Sequence, residues 1–299
     1  MKGLFLMPTT FCFVTKNNNV TNRDLKKVEA EFHKSNYDIV EKTRLGVDCV
    51  VLKIRNFFPG DFKYLERELS IDINFSVKSI EIKKVLVADM DSTIIRSECI
   101  EELAEYAGVR TEVAILTEKA MAGEINFIEA LEKRVKLLTG LTVQQLSDCY
   151  HKKIRFNKGA RTLVNTMSSL GSLTAIISGG FSFFADKVAT DIGFDQAYAN
   201  KLIFEGNALS GTVQYPILSG AQKQVILNKI CYKGKFDLSE VIAVGDGAND
   251  IEIIRSAGIG VSFYGKQALT LNCDFKLYYS NLRALLYFQG IKESDFVTQ

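Results

Sequence analysis

The sequence is poor in the residues that most often announce metal-ligand or redox chemistry. It has only two histidines, His33 and His151, and neither has a partner at ligand spacing. Neither is assigned a role. Six cysteines, at 12, 49, 99, 149, 231 and 273, include no CxxC pair. That argues against a zinc site and a disulfide framework and points to a reducing cytoplasm. A surplus of one charge is missing too, since 37 Lys and Arg face 35 Asp and Glu, for a formal net charge of +2. No nucleic-acid footprint follows from that balance. Long apolar runs are absent as well. Gly3 to Val14 comes nearest, but it is shorter than a membrane span and is broken by Pro8, Thr9 and Thr10. No small-residue cleavage pattern follows it, so it reads as a strand rather than a signal peptide. What remains is ordinary globular composition, 47% hydrophobic and 24% charged, in 299 residues. That length suggests roughly two domains.

Residues 1–82 read as a small α+β domain. Strands are expected at Phe11–Thr15, Tyr37–Lys42, Cys49–Ile54 and Phe75–Ile82. Helices are expected at Thr21–Ser35, where Leu25, Val28 and Phe32 fall on one face, and at Asp61–Leu69 after the breaker Pro59-Gly60. The order β-α-β-β-α-β suits a ferredoxin-like or ACT-like module. Amino-acid binding for regulation and simple dimerisation, giving a homodimer, both fit it.

The remainder, 83–299, opens on Val85–Ala88, an apolar run read as a strand buried on both faces. Helices then dominate at about 97–155, with Glu101–Tyr106, Glu112–Ala122, Asn126–Leu138 and Val143–His151 punctuated by Gly108, Gly123 and Gly140. On the third, Phe127, Leu131 and Leu138 form an apolar stripe, and Arg134 falls inside it while Lys133 and Lys136 lie off its centre line. Such an arginine either snorkels or binds an anion at the mouth of a site. From Ala160 the α/β rhythm returns. A helix over 160–169 precedes a strand at Leu173–Ile177, and short strands follow around 197–215. Further on come a helix around Lys223–Ile230, strands at Val241–Val244 and Ile259–Phe263, and a last helix at Asn281–Phe288. Strands separated by helices imply a parallel sheet with helices on both faces.

Ligands of such sheets bind outside the carboxyl ends of the strands. Three strand ends carry polar clusters: Asp89 and Asp91, Ser178 and Gly179, and Asp246, Asn249 and Asp250. Acids without Cys or His partners suit a hard cation, and Mg²⁺ best. Glycines after Ser178 let backbone amides approach an anion, and Lys223 offers a point charge. Together these groups suit phosphoryl transfer, in which one aspartate can be the nucleophile.

DMDST, SGG and GDGAND, in this order and spacing, resemble the haloacid-dehalogenase (HAD) superfamily, with the helical insert resembling its C1 cap. SECIEELAEYAGV, EKAMAGEINFIEALEKRVKLL, ISGGF and VGDGANDIEII bring the resemblance to its phosphoserine phosphatase family, over roughly 84–290. The resemblance implies a Rossmannoid parallel sheet with a helical cap. It also implies Mg²⁺-dependent hydrolysis of O-phosphoserine, a small-molecule substrate, through an aspartyl-phosphate. Asp89 would be the nucleophile and Asp91 the acid and then the base. Mg²⁺ would be held by Asp89, the Asp91 carbonyl and Asp246, with Asp250 supporting the metal's waters or Lys223 from behind. Ser178, the Gly179 amide and Lys223 would bind phosphate, with Asn249 close by. Glu98 would meet the substrate ammonium and Arg134 its carboxylate.

Plainer readings stand beside these. Glu98 could complement a helix N-terminus, Lys223 could be a solvated lysine, and Asp250 a first-turn acid. Glu118 and Lys119, beside Met121, read as a solvated cap face. Relatives carry a proline near Asn157-Lys158, where this chain reads Arg155-Phe156-Asn157-Lys158-Gly159. Competing functions are a HAD phosphatase for another small phosphomonoester, a phosphotransferase to an acceptor such as homoserine, and a non-catalytic amino-acid sensor. A dinucleotide-binding oxidoreductase is disfavoured because GDGAND puts acids where a pyrophosphate needs bare glycines.

Overall fold

The computed structural model describes residues 9–55, 60–121 and 124–298, the side chain of Met121 excepted. Residues 3–8 of the first expected strand, the breaker Pro59, and Ala122 and Gly123 lie outside the described residues. The chain begins with β1 (Thr10–Thr15), α1 (Asn22–Lys34), β2 (Asp38–Gly46), β3 (Cys49–Arg55), α2 (Lys63–Leu69) and β4 (Asp72–Ser76). These strands form an antiparallel sheet in the order β2-β3-β1-β4, the ferredoxin-like arrangement expected from element order. Thr21 starts α1 with a capping box: the Asp24 amide donates to Thr21 Oγ1 at 3.1 Å and the Thr21 amide to Asp24 Oδ2 at 3.0 Å. Leu25, Val28 and Phe32 are buried on its sheet-facing side.

The fourth strand corrects the expectation of Phe75–Ile82. It starts at Asp72 and ends at Ser76, while Val77 and Ile82 are exposed. The polar residues Asp72 and Asn74 conceal it, and they have a structural use. Asn74 Nδ2 donates to the Lys276 carbonyl at 2.9 Å and the Lys276 amide donates back to Oδ1 at 2.8 Å. Asp72 Oδ1 accepts from the amides of Tyr278, at 2.8 Å, and Tyr279, at 3.1 Å. Two side chains thus satisfy backbone groups along the neighbouring sheet's edge.

That neighbouring sheet belongs to the rest of the chain. In order come β5 (Val85–Ala88), α3 (Cys99–Ala107), α4 (Arg110–Met121), α5 (Phe127–Leu137), α6 (Val143–Lys153), α7 (Ala160–Ser169), β6 (Leu173–Phe181) and α8 (Ser182–Ile192). Then follow β7 (Gln196–Asn200), β8 (Leu202–Glu205), β9 (Ala208–Val213), α9 (Gly220–Gly234), β10 (Val241–Gly245), α10 (Ile251–Ser256), β11 (Ile259–Phe263), α11 (Gln267–Thr270), β12 (Phe275–Leu277) and α12 (Ala284–Tyr287). Six strands pair in parallel in the order β12-β11-β10-β5-β6-β7. The uninterrupted apolar run of β5 follows from its two buried faces. Leu86 and Ala88 join one core layer, and Val85 and Val87 the other.

β12 has no signal in the sequence, because three residues are too few for periodicity to mark. The last helix is shorter than the expected Asn281–Phe288. Asn281 Oδ1 accepts from the Arg283 amide at 2.9 Å, so its side chain makes a local turn before regular helix begins. Phe13 of β1 packs edge-on to Phe275 and Phe288, at centroid distances of 5.7 and 5.3 Å, and so joins the large core to the N-terminal sheet. No helix among the described residues is long and apolar enough to cross a membrane.

Candidate active site

The sheet order makes β10, β5 and β6 neighbours, so the three polar strand ends meet at one edge. Asp89 leaves β5 with its amide bonded to the Val244 carbonyl of β10, at 2.9 Å. Its Oδ1 accepts from the Met90 amide at 2.8 Å and lies 2.8 Å from Lys223 Nζ. Lys223, on α9, is fully buried and also lies 2.6 Å from Asp250 Oδ1. This is no solvated lysine. Asp250 is fully buried too, and its other oxygen accepts from the Gly247 amide at 3.2 Å, so it does more than begin a helix.

After Asp89 the chain turns sharply, with Ser92 at φ +56°. Asp91 lies between Gly180 of β6 and the start of α3, where its Oδ1 accepts from the Cys99 amide at 2.9 Å. A Cβ on Gly180 would come within 2.4 Å of Asp91 Oδ2, so only glycine fits there. Ser178 Oγ is buried beside it and accepts from the Gly180 amide at 2.9 Å. Asn200 has no signal in the sequence. Its side chain donates to the Gly179 carbonyl at 2.8 Å and accepts from the Leu218 amide at 2.7 Å, fixing the SGG backbone to the loop before α9.

The site is rich in negative charge. Asp89, Asp246 and Asp250 offer oxygens within 4.8 Å of one another, an arrangement able to hold a metal ion. Asp91 is expected to offer its backbone carbonyl, and its carboxylate is not in this trio. The trio contains Asp250 instead, whose two oxygens are engaged by Lys223 and Gly247. The Asp246 carboxylate has no hydrogen-bond or ion-pair partner among the described residues. Burial and then the Asp89 charge push its pKa up to about 7. Burial, followed by Asp89, raises Asp250 to about 6. Burial and Glu98 raise Asp91 well above the usual range. Burial opposes the charge on Lys223, but Asp250 and Asp89 outweigh it and raise its pKa. Several acids share one lysine, so the donor set fits an added hard cation.

The cap supplies the other wall. Glu98 precedes α3, yet its side chain makes no capping bond; instead Glu98 Oε1 accepts from Ser92 Oγ at 2.7 Å. Arg134 is half-buried on α5 and faces the charges of Glu98 and Glu101, while burial lowers its pKa. Its Nε donates to the Ala130 carbonyl at 3.2 Å and its Nη1 lies 3.4 Å from Thr117 Oγ1. Phe127 approaches Gly179 closely enough that an added Cβ would sit 3.5 Å from its ring. Asn249 lies half-buried in the turn after β10, its Oδ1 against Gly247. All ten residues singled out from the sequence therefore fall on the strand-end edge or the cap around it. Cys99, Thr117, Asn157 and Asn200 carry no such signal in the sequence, because each acts through a hydroxyl, a backbone amide or a side-chain amide with no pattern of its own, whereas Ser92 stands inside the DMDST run.

A cavity of about 460 Å³ opens here, lined by Ser92, Arg96, Asn157, Asp246, Phe263 and Tyr264, a size suited to a small ligand. A second hollow of about 400 Å³ lies beyond the opposite strand ends, beside Lys78, Lys83 and Asp274. Its cations are already paired, Lys78 with Asp274 and Lys83 with Glu81, each at 2.7 Å. The acid edge is therefore the candidate site.

Comparison with known proteins agrees with this geometry. A family model described as haloacid dehalogenase-like hydrolase matches residues 83–258. A phosphoserine phosphatase of Archaeoglobus fulgidus is 42% identical over 203 residues, 68% of this chain and 59% of that protein's length. One from Lactococcus lactis is 40% identical over 69% of this chain and 95% of its own length. The crystal structure of a probable phosphoserine phosphatase from Vibrio cholerae aligns with a TM-score of 0.81 and 26% identity, over 96% of this chain and 88% of that one. The chain belongs to the haloacid dehalogenase-like hydrolases and, within them, to the phosphoserine phosphatase family.

Proposed function

We propose that the protein hydrolyses O-phospho-L-serine to L-serine and inorganic phosphate through an aspartyl-phosphate, with Mg²⁺, in the cytoplasm, as the last step of serine biosynthesis. Residues 83–299 form the catalytic domain in this reading, with the cap at about 97–155, and residues 1–82 a separate α+β domain. The observation that carries it is the pairing of Asp89 with buried Lys223 at 2.8 Å, below a cap whose Arg134 feels the charge of Glu98. Asp89 attacks phosphorus while the bond to the serine oxygen breaks, and Asp91 gives that oxygen its proton. Asp91, now ionised, takes a proton from water, whose oxygen displaces Asp89 and releases phosphate. Lys223, Ser178 and the Gly179 amide hold the phosphoryl oxygens. The raised pKa of Asp91 suits its part, because an acid must still carry its proton when needed.

Mg²⁺ bound by Asp89, the Asp91 carbonyl and Asp246 would neutralise phosphoryl charge. Glu98 meets the substrate ammonium and Arg134 its carboxylate, which selects a small zwitterion over a phosphoprotein. A panel of O-phospho-L-serine, phosphoethanolamine and p-nitrophenyl phosphate, with and without homoserine, tests the reading. Phosphoserine should have the highest kcat/KM, with phosphate released to water. Equal rates across the panel, or phosphate appearing on homoserine, would overturn it.

A further inference from the structure

The N-terminal unit touches the catalytic part at a place with mechanical consequences. The cap joins the core through two chain segments, and they are bound to each other. Ile95 and Phe156 form an antiparallel bridge, the Arg96 amide donates to the Arg155 carbonyl at 2.9 Å, and the Asn157 amide donates to the Ile94 carbonyl at 2.8 Å. Asn157 Nδ2 also donates to the carbonyls of Thr93, at 2.8 Å, and Ile95, at 3.2 Å. The exit segment of the cap is therefore stitched to the loop that carries Asp89, Asp91 and Ser92.

The residue after Asn157 is Lys158. Its Nζ reaches the loop after β1, donating to the Asn17 carbonyl at 3.2 Å and to Asn18 Oδ1 at 2.8 Å. Asn281 Nδ2 donates to the same Asn17 carbonyl at 3.0 Å. The Leu282 amide closes the circuit on the Lys158 carbonyl at 3.1 Å. Gly159 then turns at φ +85°, and a Cβ there would lie 2.7 Å from the Arg283 nitrogen, so the chain cannot shift aside at this point. The core end of the hinge is gripped from both sides, and one of the grips comes from the N-terminal unit.

We infer that the N-terminal unit sets the stiffness of the cap hinge through Lys158, which makes Lys158 a positioning residue for the cap-borne groups Glu98 and Arg134. Its kinetic part rests on the substrate reading above; its mechanical part does not. Freeing the ammonium loosens the hinge and leaves the strand-end acids untouched. Recognition of the amino-acid moiety then suffers, while a substrate that makes no use of the cap is spared.

The test uses the full chain with Lys158→Met, which keeps the apolar stem, with Asn18→Ala, and with both. Amide exchange at Arg96 and Asn157 should quicken about three- to tenfold in Lys158→Met and less in Asn18→Ala, which leaves the bond to the Asn17 carbonyl, with the double no faster than Lys158→Met. KM for O-phospho-L-serine should rise over the same range, roughly three- to tenfold, with p-nitrophenyl phosphate changing less than about twofold. Unchanged exchange at both amides would overturn the inference. So would exchange that quickens evenly across the protein with a lower Tm, since that is loss of general stability. Faster hinge exchange in an enzyme that does not turn over phosphoserine would uphold the inference and refute the substrate reading instead.

Discussion

Among the described residues, two groups of buried and half-buried acids stand in opposite situations. Where the N-terminal sheet meets the C-terminal segment, each acid has its partners, although the buried Arg283 Nε has none among the described residues. Asp48 accepts from Tyr287 and Arg283, and Glu293 accepts from Arg283 and from the Val47 amide. Asp72 takes the amides of Tyr278 and Tyr279. At the strand-end edge, Asp89 and Asp250 share Lys223, and the nearby Asp246 carboxylate has no hydrogen-bond or ion-pair partner among the described residues. Buried acids with all bonds filled hold a fold together; buried acids left short of a cation bind something else. Burial alone does not separate the two cases. Unspent bonding capacity does.

Substitutions can sharpen that contrast, beginning with the largest effect. Asp89→Asn should abolish phosphomonoester hydrolysis, a loss of roughly 10⁴-fold or more in kcat, the scale of removing a nucleophile. Near-normal turnover in the purified variant would remove Asp89 from that role. Asp48→Ala should do the reverse, leaving the Tyr287 hydroxyl and the half-buried Arg283 short of a partner at a cost of about 3 kcal/mol. Denaturant unfolding would register the loss, with kcat/KM of the folded enzyme nearly unchanged. A catalytic defect without a stability loss would break the comparison.

Arg134→Ala should raise KM for phosphoserine by about 10- to 100-fold, the worth of a charge-assisted hydrogen-bonded pair. The KM for p-nitrophenyl phosphate should move far less, and equal effects on the two would remove Arg134 from carboxylate binding. The last test concerns pH. Burial raises the pKa of Asp72 to about 6 from 3.8. A folded pKa above the unfolded one makes the folded state the stronger proton binder between them. The group's contribution is therefore fullest below the unfolded value and is lost as pH rises through about 6. Asp72→Asn removes that titration, so wild type should gain about 2–3 kcal/mol over the variant as pH falls from about 7 to about 4. A gap independent of pH would show that Asp72 does not titrate there.

Much of this is legible in the sequence because its signals are redundant. The strand Val85–Ala88 can be placed to the residue, since four apolar residues with β-branched side chains, stopping at two acids, match a buried strand that ends at a polar edge. Arg134 stands out because helical periodicity places a guanidinium among leucines. What stays hidden is polar and relational. β4 is misplaced because Asp72 and Asn74 look like loop residues until β12 lies beside them. Asn157, Asn200 and Lys158 belong to no motif; each matters only through carbonyls that folding brings within reach.

On the proposed function, the strand-end acids, short of positive charge, hold a cation and hydrolyse a small phosphomonoester. Phosphate release from O-phospho-L-serine by the full chain, with Mg²⁺ and then with excess EDTA, tests it most directly. Release should be steady with Mg²⁺, lost in EDTA and recovered when Mg²⁺ is restored. Release that persists undiminished in EDTA, or none with Mg²⁺ present, would contradict it.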